Sequence, residues 1–180
     1  MAVVDLHIVV ELQQDTLHYR RESLMIMQDS GKQLNEDIIT QFEELLNIKL
    51  PQDYKDFMLE NNGGMPLDGW VFDFLGINNI SNRSVIQNFK VIYLEKTDSF
   101  DDINNLYKIL VEEELAPPSV LPIADDPSGN IIFLVVSKKD YGKIYFGEHE
   151  LEDPETGYLI MSPIANSFSE FINKCYIDTE

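Results

Sequence analysis

The residues of this chain that could support catalysis are few and far apart. The three histidines, His7, His18 and His149, occupy unrelated segments, and none belongs to an HExxH motif. Cys175 is the only cysteine, so the chain has no CxxC metal motif and no internal disulfide. The sequence contains neither a GxSxG motif nor a phosphate-binding glycine loop. It therefore predicts a protein that is not an enzyme and that holds no metal or cofactor.

Two acidic motifs come closest to a chemical site. Asp125 and Asp126 are adjacent, but aspartates before Pro-Ser-Gly are ordinary turn residues whose carboxylates accept hydrogen bonds from the turn backbone. Glu148, His149 and Glu150 could bind a metal, yet neighbouring side chains on a strand point to opposite faces. A solvated loop is the favoured interpretation of this second motif.

Charge is the strongest signal in the composition. The chain carries 13 Lys and Arg residues against 32 Asp and Glu, a formal net charge of −19. Such a surface repels nucleic acid and anionic membranes, so neither is an expected partner. It attracts a basic protein and accelerates the encounter with it. Solubility alone is the simpler explanation of the same charge.

The remaining composition is typical of a single packed domain. The chain has 180 residues, of which 44% are hydrophobic, which argues against disorder. No segment is apolar enough to span a bilayer. The first residues lack the basic region of a signal peptide, and Asp5 interrupts their apolar stretch. These features predict a cytoplasmic protein.

The segment from Leu121 to His149 predicts three short strands joined by two tight turns. Pro127 and Gly129 suit the second and fourth positions of a β-turn. Residues 131–136 form an uninterrupted apolar run, which is typical of a strand covered on both faces. After this strand trio, the stretch 147–157 is rich in glutamate and predicts an acidic loop.

Helices are expected on both sides of these strands. Asn35, Ser99 and Ser167 are candidate N-terminal caps, and a further helix is expected from Pro51. Residues 70–75 predict a strand, whereas residues 84–94 are ambiguous. The elements do not follow a regular βαβ order, which argues for an α+β fold: a mostly antiparallel sheet with helices packed against it.

The first 34 residues are expected to form an extension of the domain that spans residues 35–180. Apolar residues alternate from Val4 to Leu12, which predicts a strand. Residues 17–27 could form a second strand or a helix. This extension either belongs to the same domain, the favoured interpretation, or is an arm that pairs with another chain. The oligomeric state therefore stays open.

Five segments together resemble the SUKH superfamily, over a span from about Asn35 to Tyr176. This superfamily contains bacterial immunity proteins and yeast regulators of cell-wall synthesis. The five segments occur in the order of the family: LPQDYKDFMLENNGG (50–64), WVFDFLG (70–76), LPIADDPSGN (121–130), GKIYFGEH (142–149) and SFSEFI (167–172).

The resemblance implies an immunity protein that binds a cognate toxin, often a nuclease, and neutralises it inside the producing cell. We hypothesise that acidic side chains face a basic toxin, with two aromatic side chains as apolar anchors. The candidate contact residues are Trp70, Asp125, Asp126, Tyr145, Glu148, Glu150, Glu152 and Asp153. Trp70 could instead anchor the core. The alternative functions are a non-enzymatic regulatory scaffold and a module that binds a peptide or small molecule in a groove beside Trp70.

Overall fold

The structure is a computed structural model that describes residues 25–76, 79–93, 95 and 97–178. Within these ranges the chain forms four α-helices and three antiparallel sheets. The α+β architecture expected from the sequence is therefore confirmed. The strand predicted for residues 4–12 lies outside the described residues, as does most of segment 17–27.

The four helices begin at capping residues, most of which the sequence predicts. They are α1 (Glu36–Leu46), α2 (Gln52–Asn61), α3 (Ile103–Glu112) and α4 (Phe168–Lys174). The Asn35 side chain accepts a hydrogen bond from the Ile38 amide at 3.0 Å. Ser167 accepts one from the Glu170 amide at 3.0 Å. Both predicted caps are confirmed.

Helix α3 is capped differently from the prediction. Its N-cap is Asp102, whose carboxylate accepts a hydrogen bond from the Asn104 amide at 3.0 Å. Ser99, the predicted cap, accepts one from the Asp101 amide at 3.1 Å in the turn before the helix. Serine and aspartate both fit the capping position, and the bridge between Val91 and Asp102 fixes where the helix starts.

The strands form sheets of two, three and five members. In chain order they are β1 (Met27–Gln28), β2 (Met65–Pro66), β3 (Trp70–Leu75), β4 (Ser81–Val85), β5 (Asn88–Phe89), β6 (Val120–Asp125), β7 (Ile131–Val135), β8 (Ile144–Glu152), β9 (Leu159–Ala165) and β10 (Tyr176–Ile177). Strands β5 to β9 form the five-stranded sheet in sequence order. The smaller sheets have the orders β1-β2 and β10-β3-β4. The ambiguous segment 84–94 contains the end of β4 and all of β5.

Apolar residues cover both faces of the five-stranded sheet. On one face, Ile132 and Leu134 join the main core with side chains from α1, α2 and α4. On the other face, Phe133 and Val135 pack in a second cluster with Leu106 from α3. All five residues of β7 are buried, as the uninterrupted apolar run predicts.

The described end of the N-terminal extension packs on the same body. Strand β1 pairs with β2, with Met27 opposite Pro66. The Gly31 amide donates a hydrogen bond to the Asn62 carbonyl oxygen at 3.0 Å. The Asn62 side chain in turn donates to the Lys32 carbonyl oxygen at 2.7 Å. Residues 25–32 are thereby fixed to the end of α2.

Candidate functional site

Strand β8 carries opposite charges at its two ends. The turn that precedes it, residues 137–143, contains three lysines and one aspartate. The second half of β8 and the turn that follows it, residues 148–155, contain five carboxylates and one histidine. We call these segments the basic turn and the acidic hairpin. The negative charge is thus concentrated at one end of this strand.

The acidic hairpin is more ordered in secondary structure than the sequence suggests. Residues 147–152, predicted as loop, continue β8, and that prediction is wrong for this part. Gly147 pairs with Met161 and Glu152 with Leu159, so four residues of β8 lie opposite one residue of β9. The alternation of glutamate with His149 and Leu151 is a strand signal, which the high acidity of the segment obscured.

The tip of the acidic hairpin is a turn built on Asp153. Its carboxylate accepts hydrogen bonds from the backbone amides of Glu155, at 2.9 Å, and Thr156, at 3.0 Å. The amide bonds from Thr156 and Glu155 hold the pKa of Asp153 below its ordinary value. Gly157 closes the turn with φ of +76°. Asp153 is therefore ionised and held in place.

A second acidic segment lies beside this hairpin, and the sequence reasoning did not include it. The Leu159 amide, opposite Glu152, donates a hydrogen bond to the Leu115 carbonyl oxygen at 2.8 Å. Leu115 directly follows the exposed residues Glu112–Glu114 at the end of α3. The sequence signal for this segment was its run of three glutamates, and only the tertiary structure places it beside β9.

The hairpin and this second segment form what we call the acidic surface. It consists of Glu112, Glu113, Glu114, Glu148, Glu150, Glu152, Asp153 and Glu155. In the part of the chain that the structure describes, no lysine or arginine pairs with these carboxylates. The cationic candidate among their neighbours is His149, whose Nε2 lies 3.9 Å from Glu150. The surface therefore offers uncompensated negative charge to solvent.

In the basic turn, by contrast, the carboxylate has a lysine partner. Asp140 accepts a hydrogen bond from Lys143 at 2.6 Å, and this bond holds the pKa of Asp140 below its ordinary value. The other two lysines, Lys138 and Lys139, are exposed. The carboxylate of the basic turn is thus paired with a lysine, whereas the carboxylates of the acidic surface are not.

Asp126 belongs to the scaffold of the β6–β7 turn. Its side chain accepts hydrogen bonds from the amides of Ser128 and Asn130, each at 2.9 Å. It also accepts from the Ser84 hydroxyl at 2.7 Å and the Asn130 side-chain amide at 2.9 Å. Only 4% of Asp126 is exposed. The turn interpretation therefore fits Asp126 better than a role in contacting a partner.

Asp125 is likewise engaged inside the fold. It forms an ion pair with Lys90, whose side chain is 2% exposed. Its carboxylate also accepts a hydrogen bond from the Asn88 amide at 3.2 Å. Burial raises the pKa of Asp125 above its ordinary value, against the opposing effect of Lys90. Lys90 and the Asn88 amide therefore occupy most of the hydrogen-bonding capacity of the Asp125 carboxylate.

The two aromatic candidates lie apart from the acidic surface. Trp70 is 4% exposed and packs in the main core, so the structure favours its role as a core anchor. Tyr145 lines a cavity of about 190 Å³ together with Ser137, Lys139 and Asp140. That cavity adjoins the basic turn. The structure therefore brings Glu148, Glu150, Glu152 and Asp153 together but separates them from both rings.

Hydrogen bonds connect the β6–β7 turn to the acidic hairpin. The Asn130 side-chain oxygen accepts a hydrogen bond from the His149 amide at 3.0 Å and lies 2.9 Å from His149 Nδ1. Asn130 also bonds to Asp126. A Cβ on Gly147 would lie 2.7 Å from the Phe133 ring, so only glycine fits where the hairpin leaves the sheet. The predicted turn residues therefore position the acidic residues.

Within the described ranges, no group of three or more His, Cys, Asp or Glu side chains is arranged to hold a metal ion. Cys175 is buried, and burial raises its pKa to about 12. No described helix is both long and apolar enough to cross a membrane.

Comparison with known proteins identifies the family. The model of the SMI1 / KNR4 family (SUKH-1) matches residues 33–174 of this chain. The chain therefore belongs to this family, and the resemblance inferred from its five segments is confirmed. The SPbeta prophage-derived uncharacterized protein YokK of Bacillus subtilis (strain 168) is 31% identical to this chain over 167 residues. That similarity covers 80% of this chain and 77% of the relative.

Proposed function

We propose that this protein is a cytoplasmic immunity protein that binds a cationic protein toxin and neutralises it without catalysing a reaction. Membership of the SUKH-1 family supports this role, because the superfamily includes bacterial immunity proteins. The prophage origin of the Bacillus relative supports a bacterial setting.

The observation that carries the proposal is the uncompensated charge of the acidic surface. Its eight carboxylates come from two segments that the Leu159–Leu115 hydrogen bond holds side by side. A nuclease has a cationic groove for the phosphates of its substrate, and carboxylates on a fixed strand can occupy such a groove as phosphate mimics. Charge of this kind accelerates association and selects partners of the opposite sign.

The contact residues that we propose are those of the acidic surface, with Glu148, Glu150 and Glu152 at its centre. Asp126 contributes indirectly, because it fixes the β6–β7 turn on which the hairpin rests. Asp125 is bonded to Lys90 and Asn88 within the scaffold. Trp70 contributes to the core, and Tyr145 lies beyond the proposed contact surface. This assignment retains four of the eight residues first selected and adds Glu155 and Glu112–Glu114.

The test uses candidate toxin domains encoded beside the gene for this protein. Each domain is expressed from an inducible promoter, with and without this protein, and growth is measured. We expect one domain to arrest growth alone and to be neutralised by this protein. Association of the purified pair should slow on the order of tenfold when salt is raised from low to moderate concentration.

Two matched variants locate the contact. Glu148→Gln/Glu150→Gln/Glu152→Gln removes three charges from the acidic surface and should slow association with the toxin on the order of tenfold. Glu36→Gln/Glu60→Gln/Asp68→Asn removes three charges from other exposed positions and should slow it less than about twofold. Equal effects of the two variants would show that net charge acts without a localised site. Neutralisation that is insensitive to salt and to both variants would refute the proposal.

A further inference from the structure

Asn62 joins three segments of the chain at the end of α2. It caps this helix with the left-handed backbone angles φ 47° and ψ 57°. Its Nδ2 group donates hydrogen bonds to the Lys32 carbonyl oxygen, at 2.7 Å, and to the Ile92 carbonyl oxygen, at 3.2 Å. Its Oδ1 atom accepts one from the Ile92 amide at 3.0 Å. Only 1% of Asn62 is exposed, and both donor hydrogens of its side-chain amide are used.

The residue that follows Asn62 has to be glycine. Gly63 has φ of +70°, and a Cβ at this position would overlap the carbonyl group of Lys90. The Ser30 hydroxyl donates a hydrogen bond to the Gly63 carbonyl oxygen at 3.1 Å. The fold therefore requires asparagine and glycine in direct succession, and this is the single Asn-Gly pair in the sequence.

An Asn-Gly pair is chemically open to deamidation, because glycine has no side chain to shield its backbone nitrogen. The Gly63 nitrogen attacks Cγ of Asn62 and forms a C–N bond, which closes a succinimide ring. The bond between Cγ and Nδ2 breaks, and Nδ2 leaves as ammonia with the proton of the Gly63 amide. Water then opens the succinimide to aspartate or to isoaspartate. The sequence of steps consumes one water and needs no oxidant, reductant or cofactor.

The contacts of Asn62 oppose this reaction in the closed fold. The leaving atom is the same Nδ2 that donates to Lys32 and Ile92, so the reaction breaks both of these bonds. The Gly31 amide also donates to the Asn62 carbonyl oxygen at 3.0 Å. A Cβ on Gly31 would lie 2.5 Å from Asn62 Nδ2, so residues 30–32 lie directly against the side chain. The reaction is therefore expected when this segment moves away.

From these contacts we infer that Asn62 is a deamidation site whose reaction is gated by the opening of residues 25–32, and whose product holds this segment open. The aspartate product has no donor for the carbonyl oxygens of Lys32 and Ile92, and its carboxylate repels them. Isoaspartate also lengthens the backbone at the helix cap. Deamidation thus makes a reversible opening of the segment that carries β1 permanent. This inference is independent of the proposed function, because its readouts require no toxin.

The test compares deamidation rates in the full chain, by mass spectrometry of the peptide that contains Asn62, at mildly alkaline pH. In the native protein Asn62 should react on the order of a hundredfold more slowly than in the chain unfolded in guanidinium chloride, since the reaction follows the population of the open form. Gly31→Ala pushes the segment away from Asn62 and should accelerate the native reaction roughly tenfold. Gly69→Ala is the matched control, because a Cβ there meets only Val85 at 3.9 Å. It should change the rate less than about twofold.

A milder variant and hydrogen exchange separate local opening from unfolding. Ser30→Ala removes only the hydrogen bond to the Gly63 carbonyl oxygen and should accelerate the reaction roughly threefold. The Leu67 amide donates to the Ile26 carbonyl oxygen at 2.8 Å, so its exchange reports on the opening of residues 25–32. The amides of β7 report on the fold as a whole. Asn62→Asp reproduces one product and should accelerate exchange at Leu67 at least about tenfold while β7 stays protected.

Three results would overturn the inference. The first is equal reaction of Asn62 in the native and the unfolded chain, and the second is equal reaction in Gly31→Ala and Gly69→Ala. The third is a folded Asn62→Asp variant whose Leu67 amide is as protected as in the unsubstituted protein. Should Asn62→Asp not fold, the comparisons of rates decide alone.

Discussion

The two ends of β8 show how one short strand can separate two kinds of charged surface. In the basic turn, Asp140 is paired with Lys143, and Glu43, close to Tyr141 of this turn, is paired with Lys49 and Lys55. On the acidic surface, the carboxylates have no lysine or arginine partner among the described residues. The carboxylates are paired with lysines at one end and lack such partners at the other.

This difference has a thermodynamic consequence. Uncompensated like charges repel one another, so they lower the free energy of unfolding of the isolated protein. A partner of opposite charge relieves that repulsion when it binds. The acidic surface therefore does not stabilise the isolated fold, which is consistent with the binding role proposed for it. The ion pairs of Glu43 and Asp140, in contrast, lie within the fold.

A second contrast separates the two aspartates of the scaffold, Asp125 and Asp126, from the acidic surface. Asp125 and Asp126 are bonded within the scaffold, to Lys90 and to the β6–β7 turn respectively. We expect substitutions at these positions to affect stability, and substitutions on the hairpin to affect binding. The following predictions test this contrast, in order of decreasing effect.

The largest effect is expected for Lys90→Met. The substitution keeps an unbranched side chain in the core but leaves the Asp125 carboxylate without its buried cationic partner. We expect the free energy of unfolding to fall by about 3 kcal/mol. Urea unfolding followed by the fluorescence of Trp70, the single tryptophan, measures this change.

The control for this prediction removes both charges. Lys90→Met/Asp125→Leu also removes the Asp125 carboxylate and should recover at least half of the lost free energy. If Lys90→Met alone costs less than about 1 kcal/mol, the pair behaves as an exposed ion pair. The distinction between scaffold aspartates and the acidic surface would then fail at Asp125.

A smaller effect of opposite sign is expected on the acidic hairpin. Glu148→Gln/Glu150→Gln/Glu152→Gln relieves repulsion among unpaired carboxylates. It should raise the free energy of unfolding by about 0.5–1 kcal/mol at low ionic strength. Urea unfolding at low salt and at roughly 0.5 M salt checks this, because added salt screens the repulsion and should abolish most of the gain.

Neutralisation of the basic turn provides the matched comparison. Lys138→Gln/Lys139→Gln makes the chain more negative and should not raise the free energy of unfolding at either salt concentration. A stabilisation similar to that of the hairpin variant would mean that the two ends of β8 do not differ in charge balance.

The smallest effect is expected for the pH dependence of the unfolding free energy. It tests the ion pair between Glu170 and Lys174 in α4, which lies near the start of β8. Helix α4 follows Ala165, which lies opposite Ile144 at the start of β8. In this helix, hydrogen bonds from Lys174 and Asn166 lower the pKa of Glu170 from 4.5 to about 2. A lowered carboxylate pKa contributes stability above pH 4.5 that is lost as the pH falls towards 2. Glu170→Gln should therefore reduce the dependence of unfolding free energy on pH in this window. An unchanged pH profile, measured by urea unfolding, would contradict the prediction.

Much of the fold follows from local sequence features. The apolar run at 131–136 predicts a strand buried on both faces. The capping residues Asn35 and Ser167 predict where two helices begin. These signals work because burial pattern and capping are properties of a few neighbouring residues. The cap of α3 was misassigned because Ser99 and Asp102 are both chemically suitable.

The functional surface was less predictable. The sequence identified the acidic segment after Gly147 but assigned it to a loop, because its strand character depends on pairing with β9. Whether Trp70, Asp125 and Asp126 are exposed also depends on contacts with distant residues. Sequence separation says little about such contacts, since the Leu159–Leu115 bond joins segments that are far apart in the chain.

By itself, the sequence determined the family, the α+β architecture and the excess of negative charge, because each is fixed by residue types, order and local periodicity. Only the tertiary structure decided which carboxylates are paired inside the fold and which remain exposed together. The reason is that a carboxylate is neutralised by whatever cation the fold brings within a few ångströms of it, and pairing across strands sets that distance.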